Sequence, residues 1–268
     1  MLISALSKKR MPALLLAVAL AAAATGATRA RAADETSSDA DWQSWTANAN
    51  VTDVASLQRG ARDFAGYCLG CHSLEYERWS RLAKDLSIPE ALLVKDLIPP
   101  GEKPTGYIIS PMIPADAEKW FGKAPPDLSL IARARGTDYL YQYLKTFYVD
   151  SSRATGANNL AFPQSAMPDV VSPLEGLKVP VYKSVETEGP DGKKVQEQIF
   201  DHFKQIAPGR MTPQQYDQFV HDVVNFLDYV GDPQRALRQA MGIWVILFLL
   251  AFSWLAWLLK REFWKDVK

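Results

Sequence analysis

In the run Gly66-Tyr67-Cys68-Leu69-Gly70-Cys71-His72, two thiols and an imidazole stand at a spacing suited to one chemistry. Two cysteines separated by two residues can add across the two vinyl groups of one porphyrin edge. The residue after the second then lies beneath the iron, where His72 offers a ring nitrogen as proximal ligand. C-x-x-C-H therefore reads as the covalent attachment site of one c-type haem per chain, held through Cys68 and Cys71. These are the only two cysteines, so both are committed, no disulfide is available, and the haem must act as part of the core. Other uses of C-x-x-C fit less well. A thioredoxin-like pair opens a helix after a buried strand, and no Val/Ile-rich strand precedes Cys68. Zinc wants four protein ligands, or three plus water, and no second cysteine pair or histidine cluster exists.

A haem used for electron transfer usually has a second protein ligand, and methionine opposite histidine raises its potential. Of the six methionines, Met1 and Met11 fall in an N-terminal leader and Met241 in a C-terminal apolar run. Met112, Met167 and Met211 remain, with His202, His221 or an open position as alternatives. Position favours Met167, which sits in the loop segment Gln164-Ser165-Ala166-Met167-Pro168, where a rigid proline neighbour can hold the thioether. Met211 immediately precedes a helix cap and reads as packing; Met112 is flanked by Pro111 and Pro114.

The elements that must position these groups can be read around them. Thr52-Asp53 caps a helix whose apolar positions Val54, Leu57, Ala61 and Phe64 lead into the haem motif, so the motif ends a helix. Ser87-Ile88-Pro89-Glu90 fits a capping box opening a short helix to about Asp96. Residues 98–126 are rich in Pro and Gly and read as a long loop wrapping the haem edge. A helix is predicted from Thr137 to about Tyr148, with Tyr139, Tyr143 and Phe147 on one face. Residues 150–169 read as loop, and Lys178 to Phe200 as a hairpin around Gly189-Pro190-Asp191-Gly192. Thr212-Pro213-Gln214-Gln215 caps a final helix with Tyr216, Val220, Val223, Leu227 and Val230 as its core stripe, closed by Gly231-Asp232-Pro233.

The two ends of the chain address a membrane. Lys8-Lys9-Arg10, an apolar stretch from Met11 to Ala24, and Ala30-Arg31-Ala32 read as a secretory signal over residues 1–32, with an uncleaved first anchor as the alternative. Either way the following domain, 33–232, is exported, as c-type haem attachment requires. After a stalk at 233–239, residues 240–259 form a charge-free apolar run long enough to cross a bilayer. Lys260, Arg261, Lys265 and Lys268 in the tail, 260–268, favour a cytoplasmic C-terminus. The formal net charge of the whole chain is zero, yet residues 33–232 hold 28 acidic and 19 basic groups, a formal charge of −9. Such a field speeds encounter with a basic partner and disfavours nucleic acid.

Beyond these readings the chain resembles the cytochrome c1 family, the membrane-anchored haem subunits of ubiquinol-cytochrome c reductase (the cytochrome bc1 complex), in its bacterial form. The resemblance spans residues 50–268. It rests on Arg59-Gly60, Tyr67-Cys68-Leu69-Gly70-Cys71-His72-Ser73, Pro125-Pro126-Asp127-Leu128-Ser129, Ala134-Arg135, Ala166-Met167-Pro168 and the C-terminal anchor. It implies a mainly α, c-type cytochrome domain with long haem-wrapping loops, a small β-hairpin and one C-terminal transmembrane helix. It also implies that Met167 is the sixth ligand, that Arg135 meets a haem propionate and that Tyr139 lies close to the ring. Pro125 and Pro126 would form a stiff wall over one porphyrin edge. The implied partners are cytochrome b and the Rieske iron-sulfur protein of the same complex, a cytochrome c acceptor, and membrane lipid. The implied location is the bacterial inner membrane with the domain in the periplasm. Where many relatives carry an Asn-rich turn before the proline pair, this chain has Trp120-Phe121-Gly122-Lys123-Ala124. No protein group has to attack a substrate, so the chain is expected to be an electron-transfer subunit of an oxidoreductase and not a catalyst by itself. Alternatives are a monohaem cytochrome serving another respiratory oxidase or dehydrogenase, a peroxidase-like haem enzyme, and an assembly protein holding haem in transit.

Overall fold

Helix α1 (Val54–Tyr67) starts where the sequence places it, because the Asp53 carboxylate accepts the Ser56 backbone N–H at 3.1 Å. Its partner in space is the last helix of the domain, α8 (Pro213–Gly231), which opens on the expected capping box between Thr212 and Gln215. The predicted stripe of α8 is buried throughout, and Phe64 of α1 meets Phe226 with ring centroids 5.7 Å apart. The two helices approach closely only because residue 60 is glycine: a Cβ there would lie 2.1 Å from the Asp222 carbonyl oxygen. At the crossing, buried Asp222 accepts hydrogen bonds from Ser56, Arg59 and Gln218 at 2.6 to 2.9 Å. Burial pushes its carboxyl upward, but those three donors outweigh burial and hold it below the usual range.

This is a computed structural model that describes residues 39–188 and 194–266. The leader at 1–32, its cleavage site, and the hairpin tip Gly189-Pro190-Asp191-Gly192 lie outside the described residues. Between the crossed helices run β1 (Leu74–Arg78), α2 (Trp79–Asp85), α3 (Glu90–Leu92) with a π-type turn to Leu97, β2 (Tyr107–Ile108) and α4 (Pro114–Phe121). They are followed by α5 (Ile131–Arg135), α6 (Thr137–Lys145), β3 (Phe147–Val149), β4 (Ala157–Asn159), α7 (Ser172–Glu175), β5 (Gly176–Glu188) and β6 (Lys194–Pro208). All three strand pairs, β1–β2, β3–β4 and β5–β6, are antiparallel and two-stranded. About half of the described residues are helical, with antiparallel two-stranded hairpins of which β5–β6 is long.

Five local readings need correction. Ser87 does not cap a helix: its φ is +54°, and α3 begins after Pro89 with no side-chain cap. The segment 98–126 is not all loop, since Pro114 at the first turn and Gly122 at φ +78° bracket α4, and β2 pairs with β1. Helix α6 stops at Lys145, and Phe147, fully buried, belongs to β3. The expected loop 150–169 contains β4, and the hairpin predicted from Lys178 to Phe200 is longer, running from Gly176 to Pro208. The buried foot of that hairpin is Lys178, whose ammonium donates to the Lys145 carbonyl at 2.7 Å and to Glu175.

Helix α9 (Arg235–Phe263) has 29 residues, about 43 Å at 1.5 Å per residue, and contains the apolar run 240–259. Among the described residues it is the one helix long and apolar enough to cross a membrane, and none of its apolar window is buried against the domain. It starts at Arg235, so most of the stalk 233–239 is already helical.

Candidate haem site

The C-x-x-C-H motif sits at the carboxyl end of α1, where Cys68 is the C-cap and its N–H still bonds to the Phe64 carbonyl at 2.8 Å. The chain then turns tightly, with Cys71 and His72 N–H groups both reaching the Cys68 carbonyl at 3.0 and 2.8 Å. This presents Cys68, Cys71 and His72 from one turn. Burial pushes the Cys68 thiol up to about 12, with Asp63 and Cys71 adding to it, and burial also raises Cys71. A redox pair needs the opposite setting, a helix N-terminus or nearby cation that lowers the thiol. Both thiols are free, and no group of three or more potential metal ligands occurs among the described residues, which leaves the zinc reading without support.

His72 is oriented from outside the motif. Its Nδ1 lies 2.8 Å from the Pro126 carbonyl oxygen; a carbonyl can only accept, so the proton is on Nδ1 and Nε2 is left as the free lone pair. Burial lowers this imidazole, against the upward pull of that hydrogen bond and of Asp127. The Pro125-Pro126-Asp127-Leu128-Ser129 block is laced to the motif by further bonds. The Asp127 carboxylate accepts the Glu75 N–H at 2.8 Å and the Ser129 N–H at 2.9 Å. The Ser129 hydroxyl accepts the Tyr76 N–H at 3.2 Å, and the Ser73 carbonyl accepts the Leu128 N–H at 2.9 Å. Ser110 closes the other side, donating its hydroxyl to the Gly70 carbonyl and its N–H to the Ser73 hydroxyl.

Met167, half-buried, belongs to a second assembly. The Arg135 guanidinium lies over the Tyr139 ring at 5.5 Å, and Tyr139 stacks on Tyr143 at 6.1 Å. The Tyr143 hydroxyl hydrogen-bonds the buried Ser165 hydroxyl at 2.8 Å, and Ser165 Oγ accepts the Met167 N–H at 3.3 Å. Asn159, fully buried, ties this loop to the end of α6. It donates to the Tyr143 carbonyl at 2.7 Å, while its oxygen accepts from Thr146 at 3.1 Å and from the Phe162 N–H at 3.0 Å. Asn158 holds the Gln164 N–H at 2.8 Å where that residue takes a φ of +64°. Met211 packs against the core, as its position before a cap suggests, and Met112 donates its N–H to Ser110.

The sequence-predicted residues thus fall into two groups: Cys68, Cys71, His72 and Pro126 in one, Arg135, Tyr139 and Met167 in the other. Pro125 precedes the first group's carbonyl contact and is half-buried. Sequence reasoning missed Asp127 and Ser129 as staples of the proximal side, and Tyr143, Asn159 and Ser165 as staples of the methionine loop. The Asn158-Asn159 pair in a turn-rich stretch was the available signal for the latter. The proximal group fits a covalently attached haem on chemistry alone: two neutral thiols for thioether formation and an imidazole whose Nε2 is left without a partner among the described residues.

A family model described as the cytochrome C1 family matches residues 101–267. The cytochrome c1 of Allochromatium vinosum is 45% identical over 222 residues, covering 83% of this chain and 88% of that protein. A Nitrosomonas europaea protein named ammonia monooxygenase gamma subunit is 43% identical over 215 residues, covering 80% and 85%. A Bradyrhizobium diazoefficiens protein named cytochrome b/c1 is 26% identical over 243 residues, covering 80% of this chain and 34% of that protein.

Proposed function

Because the chain belongs to the cytochrome c1 family, we propose that it is the electron-transfer subunit of a cytochrome bc1 complex, carrying one c-type haem whose iron His72 and Met167 would hold. The haem supplies one-electron chemistry; the protein sets its potential and its distance to partners. The observation that carries the reading is the His72–Pro126 hydrogen bond, which fixes the imidazole tautomer and turn and leaves Nε2 free, where it would meet the iron. Cys68 and Cys71, on the same turn, would hold the porphyrin edge by thioether bonds. The proline pair walls that side, while Tyr143 and Ser165 keep the methionine loop from retreating. Arg135, exposed beside Tyr139, would neutralise a propionate by a charge-assisted pair.

In this reading the domain lies in the periplasm, α9 anchors it in the inner membrane, and the tail is cytoplasmic. The electron arrives from a Rieske iron-sulfur protein and leaves to a cytochrome c. The excess of acidic groups in 33–232 favours a basic acceptor. Cytochrome b is the subunit that α9 packs against, a reading supported by a relative whose name joins b and c1 in one protein.

Extraction in mild detergent followed by affinity capture tests the assignment. Recovery with a multi-haem cytochrome b and an iron-sulfur protein is expected. The name of the Nitrosomonas relative makes a second assembly worth testing in the same capture: recovery with monooxygenase subunits in place of cytochrome b would overturn the bc1 assignment while leaving the haem site intact.

A further inference from the structure

Where the globular domain meets the membrane helix, a cavity of about 580 Å3 opens, walled by the α5–α6 junction, the segment around Asn48, and the α8–α9 junction. Six charged side chains line it: Arg133, Asp138, Asp228, Asp232, Arg235 and Arg238. None of them has a part in the haem site. Arg235 and Arg238 lie on the first turn of α9, and Arg238 is only two residues from the start of the apolar run, about 3 Å along the axis. The polar headgroup layer is roughly 5–8 Å deep on each side of the hydrocarbon. The cavity therefore sits at headgroup depth.

Its donors are arranged but mostly unspent. Arg133 donates no hydrogen bond to any described residue, and its stem is laid against Gly231, where a Cβ would come 3.2 Å from its Cγ. Arg235 gives one N–H to Asp228 at 2.6 Å, and Arg238 gives two to Asp232 at 3.1 and 2.5 Å. A guanidinium carries five N–H groups, so the three arginines keep a surplus suited to a phosphate. Among the described residues Asp138 accepts only the Ala47 N–H, at 2.8 Å on one oxygen, which leaves its second oxygen for a cation. Three arginines and three aspartates sum to no net charge. A neutral lining of this kind does not concentrate a polyanion, but it matches a ligand that carries one phosphate and one ammonium.

We propose that this cavity binds the headgroup of a zwitterionic aminophospholipid, its phosphate on Arg133, Arg235 and Arg238 and its primary ammonium on Asp138. The inference is independent of which residues ligate the haem. To test it, the full chain in its purified membrane complex is delipidated, then titrated in detergent with dioleoyl phosphatidylethanolamine, phosphatidylglycerol or phosphatidylcholine. Bound lipid per chain is counted by native mass spectrometry. One ethanolamine lipid should be retained by the wild type. Arg133→Gln should weaken it at least about tenfold, the cost of losing charged hydrogen bonds. Asp138→Asn should erase the preference for ethanolamine over choline, whose ammonium has no N–H. Millimolar inorganic phosphate should not displace the lipid, because the acyl chains hold it at the surface. Equal retention by Arg133→Gln and wild type would overturn the proposal, as would displacement by inorganic phosphate, which would mark a soluble-anion site. Loss of cytochrome b from the Arg133→Gln complex with an unchanged lipid count would also overturn it and mark a protein interface. An unaltered reduced haem spectrum in each variant shows that the domain is folded and keeps this result separate from the haem assignment.

Discussion

The two sides of the proposed haem site are built by different means. On the histidine side, a five-residue motif carries the reactive groups, and the block from Pro125 to Ser129 meets it and the residues just after it through four hydrogen bonds, three of which need the side chain of His72, Asp127 or Ser129. On the methionine side, the ligand candidate sits in a loop whose conformation depends on side chains distant in sequence, with Tyr143 reaching Ser165 across 22 residues and Asn159 bonded to three separate groups. Backbone bonds survive most substitutions; side-chain networks do not. The carbonyl that holds His72 is main chain and does not depend on the side chain at 126, whereas the methionine loop loses its ties when Tyr143, Ser165 or Asn159 changes, so the methionine side is where sequence change can tune or release the ligand.

The largest effect should come from breaking the frame that serves both sides. In Gly60→Ala the new Cβ collides with backbone of α8, a helix that cannot shift without unpacking Phe64 from Phe226. A cost on the order of 4 kcal/mol or more is expected, read as loss of haem-loaded protein in membranes. Normal yield would show that the helix crossing is softer than its geometry implies.

Asn159→Ala separates the sides. It strands the Tyr143 carbonyl, the Thr146 hydroxyl and the Phe162 N–H in a buried place, at about 2–4 kcal/mol. Covalent haem should remain, while the melting temperature falls and the sixth ligand exchanges more readily. Equal loss of covalent attachment would mean the two sides do not form independently.

Glu77, next to the histidine side on β1, offers a pH probe. Burial drives its carboxyl up to about 7, against Arg81, and one of its oxygens has no hydrogen-bond partner among the described residues. A folded-state value raised above the unfolded one gives stability that is fully present below about pH 4.5 and is lost as pH rises through about 7. The full span is about 3 kcal/mol at 1.4 kcal/mol per unit. Thermal melts should show Glu77→Gln flattening this slope and raising stability at pH 8 more than at pH 5. A variant whose slope between pH 4.5 and 8 matches wild type would show that another group governs it.

The smallest effect is expected for Tyr143→Phe, which removes the bond to Ser165 and keeps the ring stacked on Tyr139, at about 1 kcal/mol. Its signature should be faster displacement of the sixth ligand by cyanide. A rate equal to wild type would remove Tyr143 from the methionine side.

What could be read before the structure follows the same division. The attachment motif, the Asp53 and Thr212 caps and the apolar anchor are patterns of neighbouring residues, and each appears where the spacing places it. Readings failed where a distant partner decides. Thr146, expected inside a helix, instead pairs its hydroxyl with Asn159, and the next residue enters a strand. Ser87 has the right neighbours for a capping box but lies in the left-handed region. Helix α4 was legible in principle, from Pro114 at its start and Gly122 at its end, and was obscured by the other prolines around it. Ser165 has no local signature: its value lies in Tyr143, which only the folded chain brings to it.

The claim that His72 and Met167 ligate one haem from these two sides is tested most directly by the visible spectrum of the ferrous protein with and without carbon monoxide, in wild type and in Met167→Leu. The account predicts a low-spin wild-type spectrum that the gas leaves unchanged, and a Met167→Leu protein that keeps covalent haem, has a lower reduction potential and binds carbon monoxide. A Met167→Leu protein indistinguishable from wild type, with the new carbon monoxide band appearing instead in Met112→Leu or Met211→Leu, would contradict it.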